Sequence, residues 1–339
     1  MPADGRTLAV DVGASWTRVA LVANGRLAER SDRQTRELIN NEGSIVPGLV
    51  AMGAALLKSA GHRTLLAVGI GLAASVNRQG NVLQSREFGI PAGVGLHDAF
   101  ASGFGTPVAL DNDANLAALA EYRLGAARGF SDAAVLTLGT NIGLGLILHE
   151  EVYRGAHGAA GEVGLLLVRA PSIGEWSERL RMVDAGMLGR TSSAAPDGYA
   201  WIEELAGGGA LAAMTDGRPG GLPLRRVMTV EALADPALQP IRDRAVEGWA
   251  FIIANLSVLL DLELVVLTGG LAADAAHLLG ALQRRVAELV GLVPEIRLGS
   301  LGPDAELLGA DLLARAALDD GAAHHARAGL SAQPIGERR

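Results

Sequence analysis

The sequence predicts an α/β fold of two related lobes around a central cleft, and three observations carry that prediction. A chain of 339 residues with 49% hydrophobic content is long enough for two domains of about 150 residues, each with a sizeable core. Apolar runs of strand length alternate with segments of helical period along most of the chain. One unit, an apolar run, a Gly/Thr turn and a second apolar run, occurs near residues 7–22 and again near 133–148. Two related hairpins imply two related lobes.

In order, residues 7–12 and 17–22 flank Gly13-Ala14-Ser15, and Asn24-Gly25 follows as a hairpin turn signal. Residues 38–59 have apolar positions at helical spacing with Gly61 as the stop, and 65–72 form an apolar strand with interior glycines. A short strand at 107–110 runs through Asp111-Asn112-Asp113 into a helix over 114–123, so carboxylates stand at a strand-to-helix junction. Strands at 133–138 and 143–148 surround Gly139-Thr140-Asn141, with a turn at Glu150-Glu151 beyond. After a Gly/Ala-rich stretch at 206–211, a helix covers 235–258 and a buried strand at 262–267 ends in Thr268-Gly269-Gly270. A helix at 272–290, a strand at 295–298 and a last helix at 304–318 complete the pattern. Residues 1–111 are expected to form the first lobe, joined by the helix 304–318, and 112–303 the second. The Ala/Gly/Arg/His-rich tail, 319–339, has no apolar period and is expected to be disordered.

Composition narrows the chemistry. With no cysteine there is no disulfide framework, iron–sulfur cluster, thiol nucleophile or cysteine-ligated zinc. A formal charge of −8 argues against a duplex-binding face, which needs clustered basic residues. Lys58 is the single lysine, so catalytic roles fall to other residues. Asp11 and Arg18 interrupt the N-terminal apolar run that a signal peptide would need. The most membrane-like stretch, 249–267, contains Asn255, Asp261 and Glu263, whereas a spanning helix needs about 20 largely uncharged residues. The expectation is a cytoplasmic protein with no membrane or nucleic-acid partner.

Two glycine-bearing segments imitate phosphate-binding loops without the pattern such a loop needs. Lys58-Ser59 follows Gly53, but Leu57 stands where a P-loop needs glycine and the segment is helical in period. Gly69-Ile70-Gly71-Leu72-Ala73-Ala74 fits G-x-G-x-x-A, yet no helix start follows it. The hairpin turns are better candidates. Asp11 ends a strand before Gly13, Ser15 and Thr17, offering a carboxylate for a magnesium–phosphate complex and hydroxyl and N–H donors for phosphate oxygens. An ordinary hairpin turn would use the same residue types; the second hairpin at Gly139, Thr140 and Asn141 favours a phosphate clamp. Asn112-Asp113-Ala114-Asn115 reads either as a helix N-cap or as a general base aimed into a cleft. His157, Gly158, Gly161 and Glu162 form either a plain loop or a hydroxyl-binding turn.

The order of these segments resembles the ROK family of sugar kinases and repressors, in the actin/hexokinase/Hsp70 superfamily. The resemblance rests on Asp-Val-Gly-Ala-Ser-Trp-Thr-Arg at 11–18, Asn-Asp-Ala-Asn at 112–115 and Thr-Leu-Gly-Thr-Asn-Ile-Gly at 137–143. Tyr-Arg-Gly-Ala-His-Gly-Ala-Ala-Gly-Glu-Val-Gly at 153–164 and Thr-Gly-Gly at 268–270 complete it. It implies two ribonuclease-H-like lobes, ATP and Mg2+ as donor and cofactor, and a small polyol as acceptor. Asp113 falls on the catalytic base, Asn112 on a contact to a sugar hydroxyl and Glu162 on another hydroxyl ligand. Asp11, Gly13 and Ser15 fall on the first phosphate loop, with Asp11 the magnesium partner; Gly139 and Thr140 fall on the second, and Gly269 and Gly270 on the adenosine loop. Gly309-Ala310 resembles the closing Gly-Ala of the last helix. No helix-turn-helix segment precedes Thr7, which favours a kinase over a repressor, and similar proteins are commonly dimers or tetramers, so a homodimer is one expectation.

The departures fall on the acceptor side. Leu165 replaces the histidine of Gly-Glu-x-Gly-His and the zinc-binding cysteines are missing, so no zinc site is expected. Apolar packing of Leu165, Leu166, Leu167 and Val168 against Trp176 is expected to hold that wall. Glu175, with Glu178 as the alternative, stands near the family's Cys-x-Glu carboxylate. Ala73-Ala74 replaces a Pro-Gly turn, Arg86-Glu87-Phe88 replaces an Asn-Leu segment, and Trp16 and Asn141 replace a Lys and a Gly. Ala74, Glu87 and Glu175 are thus expected beside the acceptor. A pocket that exchanges its polar groups changes its substrate. The expectation is a kinase for a C7-cyclitol of the valiolone type or a modified hexose such as kanosamine, with a divergent glucokinase or a catalytically silent sugar sensor as alternatives.

Overall fold

A computed structural model describes residues 6–62, 64–77, 79–84, 93–169, 199–215 and 224–330. The chain opens with β1 (Arg6–Val12), β2 (Trp16–Ala23), β3 (Arg26–Gln34), α1 (Val46–Ser59), β4 (Ala67–Leu72), β5 (Ser75–Val76), β6 (Val82–Gln84), α2 (Leu96–Phe104), β7 (Val108–Asn112) and α3 (Asp113–Leu124). It continues through β8 (Ala133–Leu138), β9 (Ile142–Leu148), β10 (Glu151–Val152), β11 (Leu167–Arg169), β12 (Tyr199–Trp201), α4 (Ile202–Ala206), α5 (Gly208–Ala213) and α6 (Leu224–Val227). It closes with α7 (Gln239–Leu260), β13 (Leu264–Thr268), α8 (Gly270–Asp274), α9 (Leu279–Leu289), β14 (Glu295–Leu298) and α10 (Ala305–Leu330).

Two five-stranded sheets repeat one plan. The first runs β3-β2-β1-β4-β7 and the second β10-β9-β8-β13-β14. In each, three antiparallel strands are followed by two parallel ones. The repeat read from the two hairpins is therefore a repeat of whole sheets.

Both sheets are covered on both faces. In the first, Leu8, Val10 and Val12 pack outward with Leu49 and Met52 of α1 and Phe100 of α2, while Ala9, Ala20, Leu307 and Ala310 pack inward. In the second, Val265 and Leu267 face Trp249 of α7 and Leu282 of α9, while Ala133, Val135 and Val266 face Ala117 and Ala118 of α3. The helices α3 and α10 lie between the sheets. Each follows a strand of one sheet and packs on the other: α3 leaves β7 to pack on β9 and β8, and α10 leaves β14 to pack on β4 and β1.

Small residues make this inner layer thin. A Cβ on Gly69 would strike the Ala310 carbonyl, and one on Gly309 would strike the Leu116 carbonyl. The glycines that imitate a dinucleotide motif thus serve close helix-on-strand packing. Asn24 and Gly25 both have positive φ, 52° and 72°, as a type I′ turn demands.

Several expectations are corrected. The first helix begins at Val46 rather than Leu38, because the Asn40 side chain accepts the N–H groups of Glu42 and Ser44 and folds a turn there, and Pro47 sits in the first helical turn. The turn expected at Glu150-Glu151 is His149-Glu150, both at positive φ. The span 272–290 is broken after Asp274 and resumes at Leu279. The last helix, expected to end at 318, continues to Leu330, and its extension is alanine-rich, favouring helix without any apolar period; residues 331–339 of the expected tail lie outside the described residues. Among the described residues no helix is long and apolar enough to cross a membrane.

Candidate active site

The two hairpin loops face one another across a cleft of about 490 Å³ between the sheets. In the first, Gly13 N–H donates to the Trp16 carbonyl (3.0 Å), Thr35 N–H to the Ser15 carbonyl (3.0 Å) and Thr35 Oγ1 to the Gly13 carbonyl (2.8 Å). In the second, the Gly139, Thr140 and Asn141 carbonyls accept from Gly208, Gly209 and Gly139 N–H groups at 3.1, 2.8 and 3.1 Å. With these carbonyls turned into the protein, each loop has N–H and hydroxyl hydrogens to offer an anion. Gly13, Ser15, Gly139, Thr140 and Asn141 all line the cleft, as do Gly269 and Gly270 at the end of β13. Gly269 has a φ of 92°, and a Cβ there would press on the Leu138 carbonyl.

Thr17 lies elsewhere. It is buried, and its hydroxyl is 3.0 Å from that of Thr35. Opposite Val12, it lies on the face of β2 that α1 and α2 cover, which makes it a support for the loop rather than a phosphate ligand.

At the junction of β7 and α3 Asn112 caps the helix, while the neighbouring Asp113 lines the cleft. Asn112 Oδ1 accepts the N–H groups of Ala114 (2.9 Å) and Asn115 (3.2 Å), and its Nδ2 donates to the Ala74 carbonyl (3.3 Å). The remaining Nδ2 hydrogen is what Asn112 has for a ligand. Asp113 lines the cleft and, among the described residues, accepts only the Ala114 N–H (2.8 Å). Burial pushes its carboxyl well above the usual range; the charges of Asp11 and Glu306 push the same way, the Ala114 N–H opposes them, and Glu162 adds a smaller upward push.

Behind the junction, Asp111 is saturated. Its Oδ1 accepts from Asn112 N–H (2.8 Å) and Asn115 Nδ2 (2.9 Å), and its Oδ2 from Nε and Nη2 of Arg154 (2.7 Å each). Arg154 belongs to the glycine-rich loop that carries Glu162, so this pair fastens that loop to the end of β7, next to Asp113. A second tie crosses the cleft where Ser75 Oγ donates to Glu162 Oε1. Ala74, Ser75, Glu162 and Asp113 therefore share one end of the cleft. Leu166 and Val168 pack on the second core, whereas Leu167 is exposed because β11 alternates its faces. Glu87, Glu175, Glu178 and Trp176 lie outside the described residues.

On the floor of the cleft, Asp11 is joined by Arg18, Asp32 and Glu306, none of which had a role in the site from sequence alone. Asp11 and Arg18 are directly opposed across β1 and β2, and Arg18 opposes Asp32 across β2 and β3. Arg18 Nε and Nη2 meet Asp11 Oδ2 at 2.8 and 2.6 Å, Nη2 reaches Glu306 at 3.3 Å, and Nη1 donates to the Pro303 carbonyl. Burial raises the Asp11 carboxyl and raises Glu306 to about 7, where the Asp11 charge adds and Arg18 opposes. A short hairpin loop sets the i, i+7 opposition of Asp11 and Arg18, a signal present in the sequence; Glu306, 288 residues from Arg18, has none. Glu203 was also missed: its carboxylate accepts the Ile142 N–H (3.1 Å) and so holds the second loop.

The donor set suits Mg2+ only in company. Magnesium takes one or two carboxylates, keeps several waters and completes its shell with phosphate oxygens. Asp11 supplies a carboxylate beside the first loop, and among the described residues no group of three or more His, Asp or Glu could cage an ion unaided. Asp11 fits a metal that arrives with a nucleotide.

Comparison with known proteins agrees with this architecture. No curated protein sequence matches the chain significantly. A ROK family glucokinase from Streptomyces griseus, solved with glucose and AMPPNP, is 27% identical, with a TM-score of 0.75 over 92% of this chain and 100% of that one. The ROK hexokinase from Thermus thermophilus is also 27% identical, with a TM-score of 0.69 over 93% and 100% of the two chains. A ROK family transcriptional regulator, a homolog of the E. coli MLC protein, shares the fold at 19% identity, with a TM-score of 0.73 over 93% of this chain and 79% of that one. The sequence profile of the ROK family matches residues 7–317, and the chain belongs to that family.

Proposed function

We propose that the protein is an ATP-dependent kinase that phosphorylates a primary hydroxyl of a sugar-like polyol. The observation that carries the reading is the Asp113 carboxylate, which lines the same cleft as two hairpin loops most of whose carbonyls are engaged within the protein. Asp113 accepts the proton of the acceptor hydroxyl as that oxygen attacks the γ-phosphorus; the bond to the β–γ bridging oxygen breaks and ADP leaves. The N–H groups of Ala14, Ser15 and Thr140 in the two loops hold the phosphate oxygens in line, and Gly269 and Gly270 take the nucleoside. Magnesium, when bound beside Asp11, supplies charge neutralisation for the phosphates. Glu162, with Asn112 and the Ala74 turn, orients the acceptor, and the Asp111–Arg154 pair keeps that loop in register with the base.

The acceptor we favour is a C7-cyclitol of the valiolone type or a modified hexose such as kanosamine. The support is local: the glucose-type contacts expected at the Pro-Gly turn and at the zinc-site histidine are here Ala73-Ala74 and Leu165. A divergent glucokinase is the second reading, favoured by the likeness to a glucose-bound relative. ADP release measured across hexoses, aminosugars and cyclitols tests both. Turnover should be highest outside plain glucose, and Asp113→Asn should lower kcat by about 10³-fold while leaving nucleotide binding intact. Full activity in that variant, or no turnover of any acceptor, would overturn the assignment, the latter favouring a sensor.

A further inference from the structure

Asp11 has two partners to serve, and the structure shows one of them already seated. Both donors on one edge of the Arg18 guanidinium fall on Asp11 Oδ2, at 2.8 and 2.6 Å, the geometry of a strong charge-assisted pair. The pairing is built in, because strand register places the two residues opposite one another. The same guanidinium is also held by Glu306 and by the Pro303 carbonyl, both at the entry to α10. Resting on the reading of this cleft as a metal–nucleotide site, we propose that Arg18 is a resident counter-ion for Asp11: it occupies the metal's electrostatic place in the nucleotide-free protein, so the divalent cation enters only with the donor.

Charge accounts for both states. Asp11, Glu306 and Asp113 face one another closely enough for each of the first two to raise Asp113, and Arg18 is the cation in contact with Asp11 and Glu306. A lone divalent ion approaching Asp11 meets a guanidinium within a few ångströms, and like charges so close repel strongly at the effective dielectric of a protein site. A nucleotide reverses the balance. Its phosphates bring several negative charges, which the metal and Arg18 can share. Arg18 need not leave the floor when Asp11 turns to the metal, since Glu306 and Pro303 still hold it. Arg18 is thus a positioning residue that acts through Asp11.

Mn2+, bound in place of Mg2+ and followed by electron paramagnetic resonance, tests this without turnover. The nucleotide-free wild type should bind Mn2+ at least tenfold more weakly than Arg18→Met, and adding AMPPNP should narrow the gap. The double variant Asp11→Asn/Arg18→Met should lose the gain, which places it at Asp11. A folded Arg18→Met with no gain overturns the proposal, as does a wild type that binds Mn2+ equally well with and without AMPPNP. If Arg18→Met does not fold, Arg18→Lys, which keeps the charge but not the two-donor grip, should show a smaller gain; none in a folded protein overturns the proposal. Failure of AMPPNP to bind the wild type would instead sink the donor-site reading itself.

Discussion

Glu121 joins the two places where the chain passes between the sheets. It lies on α3, fully buried, and its Oε2 accepts the N–H groups of Ala126 (2.7 Å) and Ser300 (3.3 Å) while Oε1 accepts that of Leu301 (3.1 Å). The fit is tight, since a Cβ on Gly125 or Gly299 would collide with that carboxylate. Glu121→Ala strips three backbone donors of a charged acceptor. Bonds to charged groups are worth about 1.5–3 kcal/mol each, and part of that sum is returned because the carboxylate no longer needs desolvating; the net loss should be about 4 kcal/mol. Unfolding entropy of about 2.1 cal/mol/K per residue gives about 0.7 kcal/mol/K for this chain, so Tm should fall by about 6 °C. Thermal melts followed by circular dichroism read this directly, with exposed Glu288→Ala as the control at under about 0.5 kcal/mol. A fall of less than about 1 °C for Glu121→Ala would mean that water satisfies the freed donors, and the reasoning would fail.

Two further outcomes follow from the same geometry. The base works only when deprotonated, and Asp113 is raised chiefly by burial, so kcat/KM for the acceptor should be lost as pH falls through a midpoint above the ordinary carboxylate range; Glu162→Gln should move that midpoint down. Gly309→Ala should destabilise the fold by about 1–3 kcal/mol in urea titrations, because its methyl would be driven into the Leu116 carbonyl of α3.

Legibility followed the range of the forces involved. The Asn24-Gly25 turn and the strands Ala133–Leu138 and Glu295–Leu298 could be read because turn chemistry and short apolar runs are local. The first helix was read eight residues too early, since Leu38, Ile39 and Ile45 continue the apolar period while one Asn40 side chain redirects the backbone. Asp113 and both hairpin loops were visible as motifs, and the cleft brings them together. Thr17 was misplaced because the alternation of β2 puts it on the face covered by α1 and α2, a matter of register and not of residue type. Arg18 could have been found by folding the hairpin on paper. Glu306, Glu203 and Glu121 could not, because the long-range partners that define their roles lie 61 to 288 residues away and depend on how α4 and α10 dock.

The exchange of helices between the sheets bears on how the molecule comes apart. Each sheet has one face that only the other half's continuation can cover: α3 grows out of the first sheet and shields the second, and α10 does the reverse. A fragment ending near residue 112 would leave Ala9 and Ala20 without Leu307 and Ala310, and its complement would have to fold around a first strand that never formed. The halves are therefore expected to melt together in one calorimetric transition, and a chain severed in the β7–α3 junction to recover structure only when both pieces are mixed.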